Sequence, residues 1–149
     1  MKKNCENVMM ASFPSLSCNE ALARSLVSAF IMQLNPTVAE IADIKCAVSE
    51  AVTNCTVHAY RDTIGTVSIT ARAFDDRSVR IEIKDRGCGI EDLSVAMQPL
   101  YTTDPGGERS GLGFTVMESF CDRLRVSSKP GKGTKVTLIK TLSPICSAT

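Results

Sequence analysis

The hydrophobic period of this chain changes near Gly65 from that of two long helices to that of a hairpin, and that change restricts the possible fold more than any other feature. Before it, apolar residues recur every three to four positions, at Leu22, Leu26, Ala29, Phe30 and Leu34 and again at Ile41, Ile44, Val48, Ala51 and Cys55. That spacing predicts two amphipathic helices. After it, "GTVSITARAF" and "SVRIEIKDRG" alternate apolar and polar residues on either side of "DDR", the pattern of an antiparallel hairpin. Helices followed by hairpin-paired strands predict an α+β fold: a two-layer sandwich with helices on one face of a mixed, largely antiparallel sheet.

Punctuation residues set the boundaries. "NVMMASF" runs into Pro14, which suits an edge strand because proline cannot serve a central ladder. Ser17 or Asn19 is the expected N-cap of the first helix, and Pro36 its stop. Thr37 with Glu40 three residues on is a capping-box spacing, opening a second helix that should run to about Tyr60. Further on, "IEDLSVAM" predicts a short helix, "GLGFTVMESFCDRL" a helix opened by glycines, and "RVSSKPGKGTKVTLIKTL" two strands around a Gly-rich turn. The intervening "QPLYTTDPGGERSG" is too long for a simple connector and is expected to act as a lid, and the tail "SPICSAT" to fray.

Length and composition narrow the class. With 149 residues, 44% hydrophobic and 22% charged, residues 1–149 should form a single domain. The formal net charge of +1 gives a nucleic-acid partner no electrostatic support. The seven cysteines, at 5, 18, 46, 55, 88, 121 and 146, show neither zinc-type CxxC spacing nor a compact disulfide framework. They are expected to be reduced and to serve as small buried hydrophobes. Without a leader or an apolar run near the roughly 18 residues needed to span a bilayer, a cytoplasmic location with no membrane partner is expected.

Four stretches can carry chemistry. Glu50 and Asn54 lie one turn apart at the border of the second helix's stripe, pairing a proton-accepting carboxylate with an amide oxygen suited to a hard cation. In "DRGCGI", Asp85 can accept a hydrogen bond from an exocyclic amine, while Gly87 and Gly89 would let a planar base lie against the backbone. "ERSGLGF" places Gly111 and Gly113 at a helix start, where unpaired N–H groups favour phosphate, with Arg109 and Ser110 just before. "GKGT", ending at Thr134, is a hairpin turn. The strict P-loop and the GxGxxG fingerprint are both missing. Singly, these stretches read equally as a helix border, a turn, a helix start and a hairpin; their order within one short chain is what carries information.

That order resembles the ATP-binding fold of the gyrase, Hsp90, histidine-kinase and MutL group (the Bergerat or GHKL fold), with "EAVTN" as the N box, "DRGCGI" and "SGLGF" as the glycine boxes and "GKGT" as the last Gly-Thr element. Through "NEALAR", "IKCAVSEAVTN", "QPLYTT" and "ERSGLGFTVMESF", residues 5–142 resemble the sporulation anti-sigma factors of the SpoIIAB type, with the stress-response RsbW kinases next. The resemblance implies an anti-sigma factor that inhibits a sigma factor of the sigma-F type and a serine kinase that uses ATP and Mg²⁺ to phosphorylate an anti-anti-sigma antagonist of the STAS type. It implies Glu50 as general base and Asn54 as Mg²⁺ ligand. It places Asp85, Gly87, Gly89, Ile90 and Thr134 around adenine, and Arg109, Ser110, Gly111 and Gly113 at the phosphates. It puts Arg24 on the partner surface, and implies a homodimer to which Met10, Phe13 and the first helix contribute.

Two departures from the family pattern stand out. "HAY" replaces "HGY" after the N box, and the lid reads "TTDPGG" where a lysine is expected near Asp104; the lost charge predicts faster nucleotide exchange. Two other readings fit the same residues: a binding module that uses ATP without turnover, and a histidine-kinase-like domain acting on a separate phosphoacceptor chain. His58, the one histidine, lies inside the N-box helix.

Overall fold

The computed structural model describes residues 2–97 and 113–145. Among them, β1 (Cys5–Pro14), β2 (Thr66–Phe74), β3 (Ser78–Lys84), β4 (Arg123–Lys129) and β5 (Gly133–Thr141) form one sheet in the order β1-β2-β3-β5-β4. The sheet expected to be largely antiparallel is antiparallel at every described pairing. Three helices, α1 (Asn19–Ile31), α2 (Val38–Asn54) and α4 (Gly113–Phe120), share its apolar core, and a one-turn helix, α3 (Leu93–Ala96), precedes the undescribed segment.

Register explains why one face is buried. Ile69 stands opposite Ile83 and Ala71 opposite Ile81, and across the next ladder Ile81 meets Leu138 and Ile83 meets Val136. Because side chains alternate across a strand, a slip of one residue would turn this whole row to solvent. Onto the row pack Val27 and Ile31 of α1, Ile44, Val48 and Val52 of α2, and Met117 of α4. Edge strand β1 pairs only with β2. Its alternation leaves Met10 77% exposed and buries Phe13 to 7% in the chain's own core.

The α2 cap forms as its spacing predicts. Glu40 N donates to Thr37 Oγ1 at 3.1 Å, and the Glu40 carboxylate accepts from Thr37 N at 2.9 Å. The same carboxylate also accepts from Ser143 N at 2.8 Å, tying the end of the chain to this helix start. Partial burial pushes the Glu40 carboxyl up, but the donors from Thr37 and Ser143 outweigh it and hold it below its ordinary value of 4.5. Its contribution to stability is therefore complete above pH 4.5 and lost as pH falls through the lower folded value. Thr37→Ala should lower the unfolding free energy by about 1 kcal/mol in urea titrations at neutral pH. Melting curves of Glu40→Gln and the natural chain should converge in acid.

Two expectations need correction, the α1 cap and the burial of the cysteines. The residue before α1 is Cys18, with no side-chain cap, rather than Ser17 or Asn19; Asn19 is already helical and spends its amide on Pro14 O at 2.9 Å. The second helical stretch ends at Ala59, beside the expected Tyr60, with its last turn widened into a π-turn over Cys55–Ala59. Of the six described cysteines, all free, only Cys55 is buried. No helix among the described residues is long and apolar enough to cross a membrane.

Candidate active site

The site lies where the end of α2 and its π-turn meet the ends of β3 and β5. A cavity of about 480 Å³ opens there, lined by Asn54, Cys55, Asp85, Ile90 and Thr134 among others. That volume falls within the range of small-molecule pockets, about 300–1,000 Å³. Asn54 faces the cavity, and Glu50 stands one turn earlier on α2. Both meet the first residue of α4: a Cβ on Gly113 would lie 3.2 Å from Asn54 Oδ1 and 3.5 Å from Glu50 Oε2. Glycine at 113 lets α4 begin against these two oxygens.

Asp85 forms the floor. It follows β3, is 4% exposed, and closes a turn by accepting from Gly87 N at 2.9 Å. The same oxygen, Oδ1, accepts from Thr134 N at 3.2 Å, while Asp85 N donates to Thr134 O at 2.9 Å. Asp85 is thereby locked to the start of β5 through backbone and side chain together. Thr134 Oγ1 lies 2.7 Å from Ser128 Oγ, which also accepts from Ile90 N at 2.8 Å. Ser128 thus joins the first glycine box to the β4–β5 hairpin.

The glycines of "DRGCGI" are also required by the packing around them. A Cβ on Gly87 would collide with the carbonyl and methyl of Ala59, and one on Gly89 with the Lys129 carbonyl. They let the chain thread between the π-turn and the hairpin, where Cys88 N donates to Ala59 O at 3.0 Å and Gly131 N to Cys88 O at 2.6 Å. Gly89 and Ile90 line the cavity, and Gly87 is not among its lining residues. The Ala59 of "HAY" is accommodated because position 87 has no side chain. At Gly89 φ is +74°, so Gly89→Ala should cost about 1–3 kcal/mol from backbone strain alone, measured by thermal unfolding.

The structure thus brings together Glu50, Asn54, Asp85, Gly87, Gly89, Ile90, Gly113 and Thr134. Arg109, Ser110, Gly111 and the expected lid with Asp104 lie outside the described residues. Arg24 is on α1 and not among the cavity-lining residues; its Nε is 3.5 Å from Glu20 Oε1, and Glu20 also accepts from the Ser49 hydroxyl. Sequence reasoning missed Cys55, Ser128 and Tyr60. The Tyr60 hydroxyl accepts from Arg86 N at 2.6 Å and donates to Thr66 O at 2.8 Å, bracing the Asp85 turn. Ser128 was discoverable, since it is the register partner of Thr134 in the predicted hairpin.

Helices on one face of this sheet, with a pocket floored by an Asp-Gly turn, define an ATPase domain of the histidine-kinase type: the family described as the histidine kinase-like ATPase domain matches residues 13–140. A solved structure of the RsbU and RsbW domains of a Mycobacterium tuberculosis protein shares the fold, with a TM-score of 0.67 and 21% identity over 91% of this chain and 32% of that one. The histidine kinase domain of a blue-light activated kinase from Erythrobacter litoralis aligns at a TM-score of 0.55 and 26% identity, over 70% of this chain and 46% of that one. Among proteins of known sequence, the anti-sigma F factor of Caldanaerobacter subterraneus is 55% identical over 90% of this chain and 93% of its own length. That of Shouchella clausii is 52% identical over 92% and 94%. The chain belongs to the anti-sigma F factor family.

Proposed function

We propose that this protein inhibits a sigma factor of the sigma-F type and, with ATP and Mg²⁺, phosphorylates on serine the STAS-type antagonist sent to release that sigma factor. The observation that carries the kinase reading is the convergence of Glu50 Oε2, Asn54 Oδ1 and Gly113 beside a cavity floored by Asp85. The sigma-factor half rests on the family.

The residues present suit the nucleotide. Asp85 keeps a buried carboxylate at the cavity, matching the amine of adenine, and the Cβ-free start of α4 leaves space beside the Asn54 amide oxygen, a ligand type suited to Mg²⁺. MgATP supplies the phosphoryl group that is transferred. The chain's part is positioning and proton movement, because phosphoryl transfer asks little covalent chemistry of the protein. Glu50 takes the serine hydroxyl proton at Oε2, turning a weak nucleophile into an effective one. Thr134 and Ile90, held through Ser128, keep the base seated. Arg109 supplies fixed positive charge at the terminal phosphate, with the backbone N–H groups of Gly111 and Gly113 and with Ser110 beside them. Arg24 and its Glu20 partner belong to the surface that meets other proteins, and Met10 on the open edge strand belongs to a homodimer contact.

The deciding experiment incubates the chain with MgATP and the candidate antagonist and seeks one added phosphate on a serine by mass spectrometry. Transfer to serine supports the kinase; ATP binding without transfer identifies a nucleotide-dependent binding module instead.

A further inference from the structure

Cys55 stands apart from the other cysteines. It is 3% exposed, begins the π-turn directly after Asn54, and lines the same cavity as Asp85. Its Sγ lies 3.4 Å from Ala51 O and 3.5 Å from Asp85 Oδ2. The two oxygens of Asp85 are treated differently. Oδ1 receives two backbone N–H groups, from Gly87 and Thr134, whereas the one protein donor at Oδ2 among the described residues is the Cys55 thiol.

We propose that Cys55 is a positioning residue for base recognition, its thiol holding Asp85 Oδ2 in the orientation that accepts an exocyclic amine and thereby setting the preference for ATP over GTP. This rests on the reading of the cavity as the adenine site. A carboxylate oxygen has two lone pairs; the single thiol proton, drawn to the charged Oδ2 rather than to the neutral Ala51 carbonyl, takes one of Oδ2's and leaves the other directed at the cavity. An acceptor fixed there welcomes the amine of adenine and repels the carbonyl that guanine carries at the same place. The weak S–H donor steers the carboxylate without saturating it. Burial, and then the neighbouring Asp85 charge and hydrogen bond, push the Cys55 thiol well up, so it remains a donor at working pH.

Titration calorimetry of the full chain with ATP and with GTP tests this, using Cys55→Ala, Cys55→Val and Cys55→Ser, each with a melting curve recorded without nucleotide. Val fills the space without donating, and Ser donates. In Ala and Val, ATP should bind about 3–10-fold more weakly, the range of one lost hydrogen bond. GTP should not weaken, since the acceptor that repels its carbonyl is no longer held, so the ATP/GTP ratio falls by at least that factor, and Ser should recover most of it. A ratio unchanged in Ala and Val overturns the proposal even if both affinities fall together, because that is a packing effect; failure of Ser to recover the ratio also overturns it. If Val does not fold, Ala and Ser carry the comparison. A natural chain that binds neither nucleotide overturns the adenine-site reading and this proposal with it, whereas one that prefers ATP while every variant keeps that preference overturns the role of Cys55 alone.

Discussion

Glu50→Gln is expected to slow phosphoryl transfer to the antagonist by about 10²–10⁴-fold, the usual contribution of a general base. Glutamine keeps the shape and a polar tip, so the half-buried position on α2 should tolerate it without loss of folding. Affinity for ATP should stay within about twofold, since an interaction made only in the transition state is lost from kcat rather than from ground-state binding. Glu50 also lies outside the lining of the cavity itself. The check is a pair of measurements on one preparation: initial rates of phosphate appearing on serine, and a nucleotide titration. Transfer at the natural rate removes Glu50 from the mechanism; loss of both transfer and binding shows that its carboxylate holds the start of α4 at Gly113 instead.

How legible the site was in the sequence depended on the kind of signal each residue gives. Thr37 and Glu40 announce their helix start because a capping box is a purely local device. The β2–β3 hairpin was equally readable, since its alternating residues have to match across the ladder. Asp85 was visible from its place after a strand and before Gly87, yet what holds it was not. Cys55 reads as another residue of the apolar stripe, and only the π-turn, a feature with no sequence periodicity of its own, brings its sulfur to the carboxylate. Gly87 and Gly89 stand out in the sequence as a pair, but a second demand on them, from the backbone at Ala59 and Lys129, is distant in sequence and does not show there. The cysteines were misjudged for a related reason, because composition gives the habit of a residue type and not the face on which each copy falls. The expected N-cap of α1 is not used because the helix begins at Asn19 itself, one residue earlier than a cap there would need, and the Asn19 amide instead donates to Pro14 O.

Asp85→Asn should weaken ATP binding by about 10²-fold, close to 2.7 kcal/mol, and shift the preference toward GTP. Asparagine retains one oxygen, which can still accept from Gly87 N and Thr134 N, so the turn and its link to β5 should survive. The group that replaces Oδ2 is an NH₂, which faces the Cys55 thiol and the cavity with donors where the carboxylate had an acceptor. Against adenine this sets donor against donor, losing a hydrogen bond to a charged group and leaving buried polar hydrogens unpaired, each of which costs about 1–3 kcal/mol. Against guanine the same NH₂ meets a carbonyl and gains a bond. Competition titrations with ATP and GTP therefore distinguish recognition from scaffolding. Opposite shifts for the two nucleotides establish that Asp85 reads the base, whereas equal losses, accompanied by a lower melting temperature, would mean that it only ties β3 to β5.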